Sequence, residues 1–225
     1  MSFIVFINSI LIEGSISMYK HIYDTLAKHW CTNGSIYFYS DPHFGDLDSY
    51  KYFRFPELFT EDCDIAETIK ALDKMQIDSI NKVCTKNDCL VILGDVGNID
   101  CVKKLKAGYK VLIMGNHDAG ASNYKRIKFL EAPYDNKLFD EVYEGPLFIS
   151  DRILLSHEPI EYSFALNIHG HDHSNRELTT SPHLNVCAEH IGYTPVCLSS
   201  LIKNGALKDI SNIHRNCTEV ARAKK

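Results

Sequence analysis

The chain has 225 residues, 45% apolar and 24% charged, with a formal charge of −5 and a pI near 6.1. These are ordinary globular values that exclude a largely disordered chain, and the length allows one substantial core. The acidic balance lacks the basic bias of a polyanion binder, so net charge does not indicate a nucleic-acid partner.

From the N-terminus, Phe3 to Ile12 is a markedly apolar run, too short to span a membrane as a helix. No basic residues precede it and Gly14-Ser15-Ile16-Ser17 is a weak cleavage site, so it is not read as a secretion signal. Residues 1–34 are read as an N-terminal extension, in which 1–17 form a leader if Met18 is the natural start. Tyr19, Ile22, Tyr23, Leu26, Ala27 and Trp30 recur at three and four and predict a short amphipathic helix. Its charge is too low for a membrane surface, so it is expected to pack on the body or on another subunit.

Ile36 to Tyr39 reads as the first strand, followed by Asp41 and His43. Two apart in an extended segment, these side chains would point the same way and could share one metal ion. Tyr50 to Phe59 is aromatic-rich around Arg54 and Pro56. It reads as a loop packed over a sheet edge, or as a segment that stacks a base or clamps a phosphate. Thr60 is the expected cap of a covering helix running through Ile65, Ile69, Leu72, Met75, Ile80 and Val83.

Cys89 to Leu93 and Lys110 to Met114 read as core strands joined by a short helix, a parallel βαβ unit. It would deliver Asp95 and Asn116 to one edge of a sheet, where open α/β sheets bind ligands. Further strands are predicted over 138–143, 147–149, 152–155, 166–169 and 184–187. One domain is expected over 35–212, with a polar tail over 213–225. The eight cysteines include no Cys-x-x-Cys pair and read as buried thiols in a reducing cytoplasm.

The chemistry gathers at Gly115-Asn116-His117-Asp118, which offers a metal ligand, a proton donor and a carboxylate to orient that donor. Alone, those residues would be an ordinary turn. Four further stretches accompany them: Asp41-Pro42-His43, Gly94-Asp95, Ser156-His157-Glu158 and Gly170-His171-Asp172-His173. In this order over roughly residues 36 to 200 the chain resembles the calcineurin-like metallophosphoesterases. It is similar in particular to a compact bacterial and phage-type branch, through Ile36–Asp41, His43-Phe44-Gly45 and Leu184-Asn185-Val186.

The resemblance implies a single-domain four-layer α/β/β/α sandwich that hydrolyses a phosphate mono- or diester with a metal-bound hydroxide. Asp41, His43 and His173 would bind a first metal, Asn116, His157 and His171 a second, and Asp95 would bridge them. His117 would protonate the leaving group, oriented by Asp118. Oxygen and nitrogen donors without thiolate suit two divalent ions such as Mn, Fe, Zn or Ni, or Mg. Pro42 stands where the family more often has Thr or Ser, with both ligand types intact. Arg54 and Arg126 are candidates for holding a small phosphate-ester substrate, and His169 for supporting the ligands from behind. His183, His190 and His214 are read as surface or packing residues. A non-catalytic scaffold on the same fold and a nuclease variant of the same chemistry are the competing readings; the full set of ligand types and His117 favours catalysis.

Overall fold

The computed structural model describes residue 30 and residues 34–119, 138–174 and 182–210. The leader, most of the predicted N-terminal helix, Arg126, His214 and the polar tail therefore lie outside the described residues. Trp30 is 2% exposed, and its indole N–H donates to Glu141 Oε2 at 2.9 Å.

Alternation along the central strands sets the layers. In β2 (Cys89–Ile92) Leu90 and Ile92 enter one apolar cluster, while Cys89 and Val91 enter the other. A strand buried on both faces is the signature of a parallel sheet with covered faces. The first sheet has the order β4-β3-β2-β1-β9. In it β1 (Ile36–Tyr39), β2, β3 (Tyr109–Ile113) and β4 (Glu141–Tyr143) run parallel, and β9 (Val196–Cys197) antiparallel. The second sheet has the order β5-β6-β7-β8, from β5 (Leu147–Ser150), β6 (Ile153–Leu155), β7 (Leu166–His169) and β8 (His183–Asn185). β5 and β6 are antiparallel and the other pairs parallel.

Helix α1 (Ile65–Val83) lays Ile77 and Ile80 on the outer face of the first sheet, against Tyr39, Leu90 and Ile92. It begins at Ile65 and not after Thr60, because the Asp64 side chain accepts the Glu67 backbone N–H at 3.1 Å and caps the first turn. Between the sheets, Phe38, Val91, Val111 and Ile113 meet Ile149, Leu155, Leu166 and Ile168. On the far face of the second sheet Asn167 is fully buried, and its Oδ1 accepts the Ile160 N–H at 2.7 Å. Two short helices follow strands: α2 (Asn116–Ala119) after β3 and α3 (Leu198–Lys203) after β9. No described helix is long and apolar enough to cross a membrane. Among the described cysteines, 63, 84, 101, 187 and 197 are free thiols.

The pairing Tyr39↔Ile92↔Leu112 brings three parallel strands to a common end, just before Asp41, Asp95 and Asn116. Beyond β8 the chain crosses to that end: Ser40 N–H donates to Val186 O at 2.9 Å and Ala188 N–H to Ser40 O at 3.0 Å. The two sheets are stitched together where the candidate site lies.

Candidate metal centre

The loops that leave the strands turn through a backbone conformation few side chains tolerate. Asp41, His43, Asp95 and His171 have φ of 54°, 45°, 52° and 69°. Left-handed non-glycine residues are uncommon, and such strain concentrates where function over-determines a position. The extended geometry expected for Asp41 and His43 is therefore replaced by a left-handed turn that still brings both side chains together. Two glycines make room. Gly94 has φ 91° and a Cβ there would overlap the His157 ring; at Gly170 it would overlap the Ser40 hydroxyl and the Asp41 carboxylate.

One group of donor atoms forms around Asp41, which is fully buried. Its Oδ2 accepts from His171 N–H at 2.9 Å and from the Cys187 thiol at 3.3 Å. Burial, with the Asp41 charge second, raises the Cys187 pKa, so the sulfur stays protonated and donates. Asp41 Oδ1 has no hydrogen-bond partner. It faces His43 Nε2 at 3.8 Å and His173 Nε2 at 3.5 Å. Each ring is turned by a carboxylate behind it: Asp46 Oδ2 lies 3.2 Å from His43 Nδ1, and Glu189 Oε1 lies 2.5 Å from His173 Nδ1. The His43 hydrogen bond holds Asp46 at a pKa of about 2. Burial disfavours protonated His173, but Glu189 and Asp41 outweigh it and raise its pKa.

The second group is tighter. Asn116 Oδ1 lies 2.8 Å from His157 Nε2 and 3.1 Å from His171 Nδ1, and those nitrogens are 3.2 Å apart. The other nitrogen of His157, Nδ1, lies 2.7 Å from Leu93 O. A carbonyl only accepts, so Nδ1 carries the proton and in the neutral ring Nε2 presents a lone pair. Asn116 Oδ1 is likewise an acceptor. Electron pairs face one another at hydrogen-bond distance, an arrangement stabilised by a cation between them. For ligand bonds of about 2.1 Å, neighbouring donors sit about 3.0 Å apart in an octahedron and about 3.4 Å in a tetrahedron, so the group has the right dimensions. Asp95 Oδ2 lies between the groups, 3.6 Å from His43 Nε2 and 3.5 Å from His157 Nε2. Asp41, His43 and His173, and again Asp41, Asp95 and His157, converge closely enough to hold an ion.

His117 stands apart. Its side chain is 60% exposed, its Nε2 lies 3.9 Å from Asp95 Oδ2, and its ring meets that of His43 edge-on at 5.3 Å. Asp118 does not perform the expected orientation of this ring. It is 1% exposed and both its oxygens are taken by backbone N–H groups, those of Asp95 at 2.8 Å, Gly115 at 3.0 Å and Val96 at 3.1 Å. Burial dominates and raises its pKa despite these bonds. Its place is to join the loops after β2 and β3.

Arg54 also departs from the substrate contact expected of it. Its side chain is 2% exposed; Nη2 donates to Asp41 O at 2.6 Å, Nη1 to Pro42 O at 3.1 Å, and Nη2 lies 3.0 Å from Glu189 Oε2. Arg126 lies outside the described residues. His190 Nε2 lies 3.0 Å from His173 O at the cleft, nearer the site than its sequence surroundings suggest. His169 and His183 meet edge-on at 5.6 Å, and His169 Nδ1 lies 2.9 Å from Gly170 O.

Asp46, Glu189, Asp73 and Gln76 are among the contributors that escaped the sequence reading. Glu189 had no motif to mark it beyond following the Leu184-Asn185-Val186 run. Asp73 and Gln76 looked like polar positions of a covering helix, yet both are buried. Gln76 Nε2 donates to Pro42 O at 2.9 Å, and Asp73 Oδ1 accepts from Gly45 N–H at 2.8 Å and Tyr50 Oη–H at 2.6 Å. Helix α1 thus grips the Asp41–Tyr50 loop. Polar side chains on the inward stripe of an amphipathic helix were the available signal.

A two-sheet α/β sandwich with His and Asp clusters at its strand ends is an architecture able to hold metal ions. The chain belongs to the calcineurin-like phosphoesterase family, whose model matches residues 34–196. Membership implies a metal-dependent hydrolase. Comparison with curated proteins finds no match. Among solved structures, the protein of unknown function AQ665 from Aquifex aeolicus shares the fold, with 24% identity and a TM-score of 0.53 over 76% of this chain and 99% of that one.

Proposed function

We propose that this chain hydrolyses a phosphate mono- or diester with two divalent metal ions. Asp41, His43 and His173 hold one ion, Asn116, His157 and His171 the other, and the Asp95 carboxylate lies between them. Two such ions supply a nucleophile from water near neutral pH and offset the charge of the phosphoryl group. Asp46, Glu189 and the Leu93 carbonyl fix the ring orientations of His43, His173 and His157, the support from behind that metal-binding imidazoles require. His117, exposed to the cleft with its Nε2 3.9 Å from the Asp95 carboxylate, donates a proton to the departing alkoxide.

The observation that carries this reading is the convergence of acceptor atoms: Asp41 Oδ1 without a hydrogen-bond partner, and Asn116 Oδ1, His157 Nε2 and His171 Nδ1 all within 3.2 Å of one another. The test is hydrolysis of chromogenic mono- and diesters after chelation and add-back of manganese, nickel, zinc or magnesium. Restored turnover with at least one ion supports the proposal. No turnover with any of them, on protein shown to bind the ions, favours the non-catalytic scaffold.

A further inference from the structure

Of the aromatics between residues 50 and 59, most are used inside the protein. Tyr50 is fully buried, and Phe55 stacks on Tyr193 with centroids 5.7 Å apart. Tyr52 and Phe53 are not: they are 63% and 76% exposed, the largest exposures among the described bulky apolar side chains. Both lie on one turn of π-helix, Ser49–Arg54, a rare conformation that is frequent at functional sites. That turn ends at Arg54, which is clamped to the carbonyls of Asp41 and Pro42. The exposed pair is thereby fixed relative to the first donor group.

Tyr52 and Phe53 line a cleft of about 1170 Å³ whose lining also includes Asp95, Asn116 and His117. A phosphoryl group at the donor atoms would fill only part of that volume. The remaining polar lining described is mainly acidic or imidazole, including Asp46, Asp48 and Asp172, and its one guanidinium, Arg54, is already paired with Glu189. Such a wall does not favour additional phosphates. Among the described residues it leaves the two aromatic faces to recognise the organic part of a substrate, and an aromatic face selects a planar ring.

Resting on the phosphoesterase reading, we infer that Tyr52 and Phe53 form a subsite for a planar ring carried by the alcohol of a single-phosphate ester. The ring is that of an aryl alcohol or a nucleobase. Neighbouring Lys51, with Nζ 5.4 Å from the Tyr52 ring centroid, supports that ring by a cation–π contact.

The test separates binding from turnover by using phosphonates, which are not hydrolysed. Calorimetric affinities of the manganese-loaded full chain for phenylphosphonate and ethylphosphonate are compared, then repeated on Tyr52→Ala/Phe53→Ala. The expected result is phenylphosphonate bound about tenfold more tightly than ethylphosphonate, with the ratio falling to within about twofold in the variant. Equal affinities in the unaltered chain, or a ratio the variant preserves, overturn the subsite whether or not esters are hydrolysed. Absence of ester turnover overturns the hydrolase reading alone. A second arm compares the phosphonate analogues of adenosine 5′-monophosphate and ribose 5-phosphate, and a preference there larger than that for phenyl identifies the ring as a nucleobase, a smaller one as an aryl alcohol.

Discussion

Glu189 Oε1 lies 2.5 Å from His173 Nδ1, while its other oxygen lies 3.0 Å from the Arg54 guanidinium. One carboxylate therefore aims an imidazole at Asp41 and receives the arginine that pins the Asp41 loop. Both links bear first on the Asp41 group, which meets the second group through the His171 N–H bond to Asp41 Oδ2.

Glu189→Gln should accordingly weaken one ion more than the other. Removal of a carboxylate behind a metal-bound histidine costs roughly 10–100-fold in affinity. Calorimetric manganese titration should show one of two binding steps weakened by that factor and the other by less. Equal weakening of both steps would mean that Glu189 acts through general electrostatics.

His117→Ala should keep its metal and lose rate selectively. If the imidazole protonates the leaving group, the loss should approach roughly 10²–10⁴-fold for alkyl esters and be far smaller for p-nitrophenyl phosphate, whose leaving group needs little protonation. A leaving-group series measures this. Equal losses throughout would assign His117 to substrate positioning.

Asp118→Ala should behave unlike a change to a general-acid partner. It strands the buried N–H groups of Asp95, Val96 and Gly115, at a cost of about 1–3 kcal/mol for each one left unsatisfied. The variant should melt earlier and lose turnover alike on all esters, since Asp95 is no longer held. Thermal unfolding with the same ester series checks it; selective loss on poor leaving groups alone would restore the orienting role.

The strand ends and the donor residues were legible because glycine and ligand types recur after apolar runs, and parallel pairing then forces Asp41, Asp95 and Asn116 to one edge. The role of Asp118 was not, because only the fold brings the N–H groups of residues 95 and 96 to it across more than twenty positions. Arg54 misled for a related reason. A lone arginine near a motif has the charge to meet a phosphate, but the carbonyls and carboxylate that claim it come from loops separate in sequence. The strand Val196–Cys197 was missed because two residues carry no periodicity.

Acid should loosen the far end of the first sheet. Asp88 accepts from Ser35 N–H at 2.7 Å, Thr85 N–H at 2.8 Å and Thr85 Oγ1–H at 2.6 Å. Burial alone would raise its pKa, but these bonds together lower it. A depressed folded pKa means stability fully present above the unfolded value of about 4 and lost as pH falls through the folded one. Asp88→Asn should lower stability at pH 7 by about 1–3 kcal/mol and flatten the pH dependence below about 4. Urea unfolding across pH 2.5–7 measures both, and parallel curves would contradict the assignment.

In the proposed centre Asp95 lies between two ions. The most direct measurement is the number of manganese ions per chain at saturation, by equilibrium dialysis with elemental analysis, for the unaltered chain and for Asp95→Asn. Two ions are expected in the unaltered chain, falling to one or fewer in the variant, with turnover abolished because the charge offsetting two close cations is removed. A single ion in the unaltered chain, or two ions with full turnover in Asp95→Asn, would contradict this arrangement.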